Sequence, residues 1–373
     1  MRVAIAIRNL SRHTGASGTV LKHTALLAGL GHAVEVFGLT VRRELVEAAG
    51  GLVVSLRRPW GSSRAAYARR FERVRRRGAH GLVLGHGDVE RQDVLFLHNL
   101  VRRAHRETHG APPPAGSDLA EVAANHARIL AGGGYRVLVA NSRLMADELV
   151  AMGVPAAKVE VVWPTCDPAR FHPVDGERRA ALRARWGVPP EAFLVGLVTS
   201  GDFTKRGVDL LLEAAAALPP AVARRAWYLV VGRSKDFAAR VARLPAPLRA
   251  RLVQAPPVDE VEEVHQALDV LVHPARFEEF GQVVAEAMAC GVPVITSRRV
   301  GASELLPHSP LLLEEPTVEG LVDRLVRVHD APALAAEVGA ASRSAALAHG
   351  LPVRVARTLE LLHACGLPRP AGP

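Results

Sequence analysis

Between Leu271 and Ile295 the chain reads as a strand, an acidic loop, a helix, a glycine stop and a second strand. The apolar run Leu271-Val272-His273 leads into Pro274 and a loop carrying Glu278, Glu279, Phe280 and Gly281. Gln282 to Cys290 is apolar-rich, and Gly291, Val292 and Pro293 turn the chain into Val294-Ile295. Two short strands joined by a helix form a parallel pair with the helix packed on the sheet. In open sheets of that kind, ligands lie beyond the carboxyl ends of strands and at the amino ends of helices. Glu278 precedes the helix and Glu286, eight residues later, lies about a turn inside it. Two carboxylates so placed can hold hydroxyls of one sugar nucleotide.

The same alternation runs through both halves. Val3–Ile7, a loop containing Gly15 and Gly18, a helix from about Thr19 to Gly29 and a strand at Ala33–Phe37 form a βαβ unit closed by Gly31. Further strands are expected at Leu52–Ser55, Gly81–Leu84, Val94–Leu97, Val137–Ala140 and Val159–Val162. After an irregular stretch the pattern restarts, with strands at Phe193–Val198, 227–231, 270–273 and 292–296. Helices are expected at 176–186, 208–218 and 260–268, the last opened by a capping box of Asp259 and Glu262. The chain therefore divides into residues 1–168, residues 169–350, and a terminal helix and tail at 351–373 able to return to the first domain. Its 373 residues suffice for two α/β domains, each with its own core.

Charge separates the halves. The net +10 falls wholly within the first 170 residues, where 24 basic residues face 14 acidic ones; the remainder balances at 23 each. The excess is densest from Arg57 to Gly78, with a second patch at Arg102, Arg103 and Arg106. Trp60, Tyr67, Phe71 and Val74 make the first stretch amphipathic as a helix. This pattern suits a solvated arginine-rich face, or anionic lipid head groups or a phosphorylated acceptor. No aromatic stacking platform accompanies it, which argues against nucleic acid. Cys166, Cys290 and Cys365 are scattered, as expected of reduced thiols in a cytosolic protein. The first ten residues lack a signal-peptide core, and no apolar run approaches the roughly 18 residues that span a bilayer. The expected location is cytoplasmic, with peripheral attachment to the inner face of the plasma membrane through the basic half.

Three further groups of residues can carry chemistry. Ser200 to Asp209, SGDFTKRGVD, follows a strand and places Lys205 and Arg206 ahead of Gly207. Adjacent cations there can offset the charge of a diphosphate leaving group without a metal. His98 ends a first-half strand, where a neutral imidazole can meet sugar hydroxyls; Asn99 and His86 are secondary candidates. Gly15-Ala16-Ser17-Gly18 allows close backbone approach, with Ser17 and Thr19 able to cap the following helix. It is not GxGxxG, which disfavours a nicotinamide cofactor. No nucleophile elbow, HExxH or Walker A sequence occurs, and no spacing supports a metal site. No cofactor is expected beyond a nucleotide-sugar substrate.

The stretch PARFEEFGQVVAEAMACGVPV resembles the donor-binding signature of the retaining GT-B glycosyltransferases of family 4, the glycosyl transferases group 1. GDFTKRGVD with LLLEAAAALP is similar to the lipopolysaccharide core glucosyltransferases. The resemblance implies two Rossmann-like domains with parallel sheets facing across a cleft. It also implies hexosyl transfer from UDP-glucose, or GDP-mannose as second choice, to a glycan or lipid-linked acceptor of the cell envelope. By the same resemblance Glu286 would bind the ribose, Glu278 the transferred sugar, and the backbone of Phe280, Gly281, Gln282 and Val283 the sugar and diphosphate. His98 would face the anomeric carbon, Gly15 and Gly18 the donor phosphate and acceptor, and Lys205 and Arg206 the diphosphate. Glu279 stands where the family usually has glycine. The rival readings are a nucleotide-sugar epimerase on the same scaffold and a basic nucleic-acid-binding protein.

Overall fold

Short, almost wholly apolar strands require cover on both faces, and parallel pairing with helices supplies it. The computed structural model describes residues 1–11, 15–56, 63–199 and 201–369. Trp60 and the rest of 57–62, and Ser200, lie outside the described residues.

Contacts divide the chain into two units. The first holds Met1–Arg102, Pro112–Val162 and the segment from Val355 onward; the second holds Arg103–Ala111 and Trp163–Arg354. The first sheet comprises β1 (Arg2–Ala6), β2 (Ala33–Gly38), β3 (Leu52–Ser55), β4 (Leu82–Gly85), β5 (Val94–Phe96), β6 (Val137–Ala140) and β7 (Val159–Val161). All pairings are parallel, in the order β3-β2-β1-β4-β5-β6-β7, with Val3 opposite both Val34 and Leu82. The helices of this part of the chain are α1 (Gly15–Gly29), α2 (Arg43–Ala48), α3 (Arg64–Arg77), α4 (Val101–His109), α5 (Asp118–Gly132) and α6 (Arg143–Ala151), of which α4 falls in the second unit from Arg103 onward.

The second sheet comprises β8 (Phe193–Val198), β9 (Ala226–Val231), β10 (Leu252–Ala255), β11 (Val270–His273), β12 (Val294–Ser297) and β13 (Leu312–Leu313). Its order, β10-β9-β8-β11-β12-β13, is again parallel throughout. The longer helices of the unit are α7 (Gly176–Arg185), α8 (Val208–Ala217), α9 (Val261–Ala267), α10 (Gln282–Ala289), α11 (Val318–Asp330) and α12 (Pro332–Ala348). Alternation along β8 splits the core: Leu194 and Val198 enter one apolar cluster, Val195 and Leu197 the other. In both sheets the order reverses between the first strand and its right-hand neighbour. That switch point is where such sheets bind ligands.

The last helix, α13 (Leu351–Ala364), supplies Leu361 and Leu362 to the first unit's core beside Val3, Ile5 and Val36. Arg136 donates to the Cys365 carbonyl at 3.2 Å, and Arg357 pairs with Glu160 at 2.6 Å. All three cysteines are buried free thiols.

Several local expectations are corrected. Asp259 does not hold the N-cap position that a capping box with Glu262 requires: α9 starts at Val261, its N-cap is Glu260, and the Glu260 side chain makes no cap hydrogen bond. Residues Gly15 to Gly18 form the first turn of α1 and not a loop, so Ser17 and Thr19 lie inside the helix. The Ser17 hydroxyl instead accepts from the Ser11 amide at 3.0 Å, and Thr19 donates back to the Gly15 carbonyl. The helix α11, the alanine-rich and weakly periodic α12, and the half-buried edge strand β10 are not among the elements expected from the sequence.

Candidate active site

The second unit's site is assembled at the carboxyl ends of β8 and β11. Beyond β8, Asp202 accepts from the amides of Thr204 and Lys205 at 2.8 and 3.2 Å, curling the loop before α8. Gly207 closes it at φ +70°, a conformation that favours glycine. A Cβ there would lie 2.2 Å from the Pro274 carbonyl oxygen. The close approach presses the loop against the end of β11. Arg276 then fastens the two loops. Its backbone amide donates to the Lys205 carbonyl at 3.0 Å, its guanidinium donates to the Thr204 carbonyl at 2.5 Å, and it meets both Asp209 oxygens at 3.0 and 2.7 Å. Sequence reading missed Arg276, whose partners are about 70 residues away.

The acidic loop is anchored on its other side. Glu278 exchanges backbone hydrogen bonds with Arg299 and Gly301, and the Ala302 amide donates to Phe280. Phe277 and Phe280 are buried, so the loop has an apolar floor. Gly281 precedes α10 at φ +87°, where a Cβ would lie 2.9 Å from Val300. No side chain caps α10 and no acid lies in its first turn, leaving a helix amino end suited to anions.

These loops bring the sequence-predicted cations and acids together. Lys205 Nζ lies 3.2 Å from Glu279 and 3.8 Å from Glu278, while Arg206 pairs directly with Glu278. Glu278 and Glu279 are buried, and the two cations are mostly so. Burial lowers the Arg206 pKa from its usual value, opposed by the charges of Glu279 and Asp202. Glu279, which the family signature does not require, is thus the nearest counter-charge of Lys205. Glu286 is also buried, 3.6 Å from the enclosed His265.

His273 lies beneath this group, 1% exposed, and neither ring nitrogen has a hydrogen-bond partner. Burial, then the charges of Arg206 and Lys205, push its pKa down to about 3. The unfolded chain therefore binds more protons, so its stabilising contribution is present above about pH 6.5 and lost as pH falls towards 3. Between those limits wild-type stability should fall by about 1.4 kcal/mol per pH unit from this group alone. Urea titrations at stepped pH should show a shallower acid slope for His273→Leu. Equal slopes would refute the assignment.

In the first unit His98 follows β5, and its Nε2 lies 2.8 Å from Nδ1 of His86, with the rings stacked. His23 of α1 and Phe96 extend the aromatic group. Burial, followed by the neighbouring His98 and His23, holds the His86 pKa well below the ordinary range. His86 is therefore part of the His98 arrangement, and His23 is an addition that a helix-interior position concealed. Among the described residues nothing lies within 4 Å of a Cβ placed on Gly15 or Gly18. Asn99 is exposed, and Asn141 donates to the His98 carbonyl.

Residues 180–345 match the family Glycosyl transferases group 1. The chain is 35% identical over 239 residues to a D-inositol 3-phosphate glycosyltransferase of Streptomyces bingchenggensis, covering 60% of this chain and 52% of the relative. It spans about half the length of the curated relatives it matches. The structure of WaaG, a glycosyltransferase involved in lipopolysaccharide biosynthesis, superposes with a TM-score of 0.81 at 19% identity, over 96% of this chain and 99% of WaaG. Anabaena Alr3699/HepE, solved in complex with UDP-glucose, gives 0.78 at 18% identity, over 98% and 100%. The fold is that of the GT-B glycosyltransferases. No helix among the described residues is long and apolar enough to cross a membrane.

Proposed function

We propose that this protein is a retaining hexosyltransferase that takes a nucleotide-diphosphate sugar, UDP-glucose first and GDP-mannose second. The observation that carries this reading is the packing of Lys205 and Arg206 against Glu278 and Glu279 beside the open amino end of α10. It lies within the segment that matches the glycosyltransferase family. In this reading the diphosphate takes over the cations from the acids, and the freed Glu278 accepts from the sugar hydroxyls. Amides at Gln282 and Val283 face the phosphates, and Glu286 accepts from the ribose hydroxyls. The leaving diphosphate helps to deprotonate an acceptor that attacks on the same face. The protein contributes position and charge stabilisation.

The first unit would bind a glycan or lipid-linked acceptor in cell-envelope synthesis, with His98 and the backbone of Gly15 and Gly18 at the reacting end. Its basic surface suits peripheral attachment to an anionic membrane on the cytoplasmic side. HepE's complex with UDP-glucose supports the donor choice at the level of fold.

A screen of UDP- and GDP-sugars with product analysis tests the reading. Glu286→Ala should weaken UDP binding by about 10- to 100-fold, since hydrogen bonds to a charged group contribute roughly 1.5–3 kcal/mol. Saturating UDP at about 100 times Kd should stabilise the wild type by about 2.7 kcal/mol, and less in the variant. Conversion of donor without acceptor would identify an epimerase instead. Absence of any nucleotide-dependent shift, with salt-sensitive RNA binding, would overturn the enzyme reading.

A further inference from the structure

The connection from β4 to β5 contains no helix, although parallel neighbours are usually joined by one. Residues 86–93 cross as irregular chain, burying Val89 and leaving Glu90 and Arg91 exposed. A recess of about 850 Å³ remains between this segment, α3 and Arg128 of α5. Arg69, Arg73, Arg76 and Arg77 of α3 line one wall, and Arg91 and Arg128 face them. Only two acids, Glu72 and Glu90, are among the lining residues. Glu72 is engaged by Arg75 and Arg76, and Glu90 by Arg128 at 3.0 Å. Arg69, Arg73, Arg77 and Arg91 have no carboxylate partner among the described residues.

We infer that this recess binds a multiply phosphorylated small molecule, at a site of its own in the first unit. Guanidinium forks match phosphate oxygens two at a time. From Arg69 to Arg77 the helix advances about 12 Å, so the ligand carries anionic groups spaced over that length. The recess has the size of pockets that take small ligands, and its arginines are exposed around its open rim. The apolar floor of Ala65, Ala68 and Val89 offers no exposed aromatic ring for stacked bases. The inference does not depend on the donor reading.

Isothermal titration with inositol hexakisphosphate and with tripolyphosphate, at about 0.15 M salt, tests it. One equivalent of each should bind, and Arg73→Glu/Arg77→Glu should weaken binding by about tenfold or more. Arg69→Gln/Arg91→Gln should weaken it in the same direction, should the charge reversal fail to fold. Lys205→Ala should leave the affinity unchanged, and excess UDP should not displace the probe. No binding, binding indifferent to the arginine variants, or displacement by UDP would overturn the assignment. So would binding only to vesicles of phosphatidylcholine and phosphatidylglycerol, or a preference for single-stranded RNA.

Discussion

Replacing Lys205 and Arg206 together by alanine is expected to lower sugar transfer at least about 10³-fold, with the loss mainly in kcat. Removing one group that stabilises developing charge typically costs 10²- to 10³-fold, and both cations here lie beside the same acids. The variant also leaves Glu278 and Glu279 buried without counter-charges. Breaking a buried ion pair from one side costs about 3–5 kcal/mol, so instability could imitate a catalytic defect. Lys205→Met/Glu279→Gln separates the two effects, because it removes one charge of each sign. It should melt close to wild type while transferring far more slowly. Arg206→Lys should fall between, retaining the charge without the planar fork. Wild-type turnover in the double alanine variant would remove the diphosphate role from both residues.

Gly207→Ala should cost more than about 2 kcal/mol of stability, and disrupt the site as well. A left-handed conformation costs an alanine about 1–2 kcal/mol. The methyl group would also stand 2.2 Å from the Pro274 carbonyl oxygen, a backbone atom at the end of β11 that cannot rotate aside. Relief requires the cation loop to move off the acidic loop, which separates Lys205 and Arg206 from Glu278 and Glu279. For a unit of this size the melting temperature should drop by roughly 2–4 °C per kcal/mol. Gly29→Ala is the control: it lies in α1 with nothing within 4 Å of a new Cβ, and should be neutral or gain up to about 1 kcal/mol. A Gly207→Ala protein that melts with the wild type would show that the contact is relieved cheaply.

Strand positions were the most legible part of this chain. Phe193–Val198 and Val137–Ala140 read directly, because doubly covered parallel strands are unbroken apolar runs. The helix α12 did not, since frequent alanine blurs the contrast between buried and exposed faces. The Gly15 to Gly18 turn was misread because two glycines suggest a loop, while the rest of α1 carries the helix through them. Local chemistry also overstated the Asp259 and Glu262 pair, as α9 begins one residue later than that box requires.

The candidate site divides along the same line. Residue type and order alone marked Lys205, Arg206, Glu278, Glu286 and His98, because a strand end followed by a helix start can be read locally. Which acid meets which cation could not be read: Glu279 became the partner of Lys205 only when Gly207 and Pro274 closed the gap between two loops about 70 residues apart. Arg276 and His23 were invisible for the same reason, as their roles exist only through distant neighbours. Sequence by itself determined the alternation of strands and helices and the chemical character of the loops, both set by short-range pattern. Tertiary structure alone decided the pairing of charges, the burial that lowers the His273 pKa and the arginine-lined recess beside α3. Burial and Coulomb energy depend on distance in space, and chain separation does not report it.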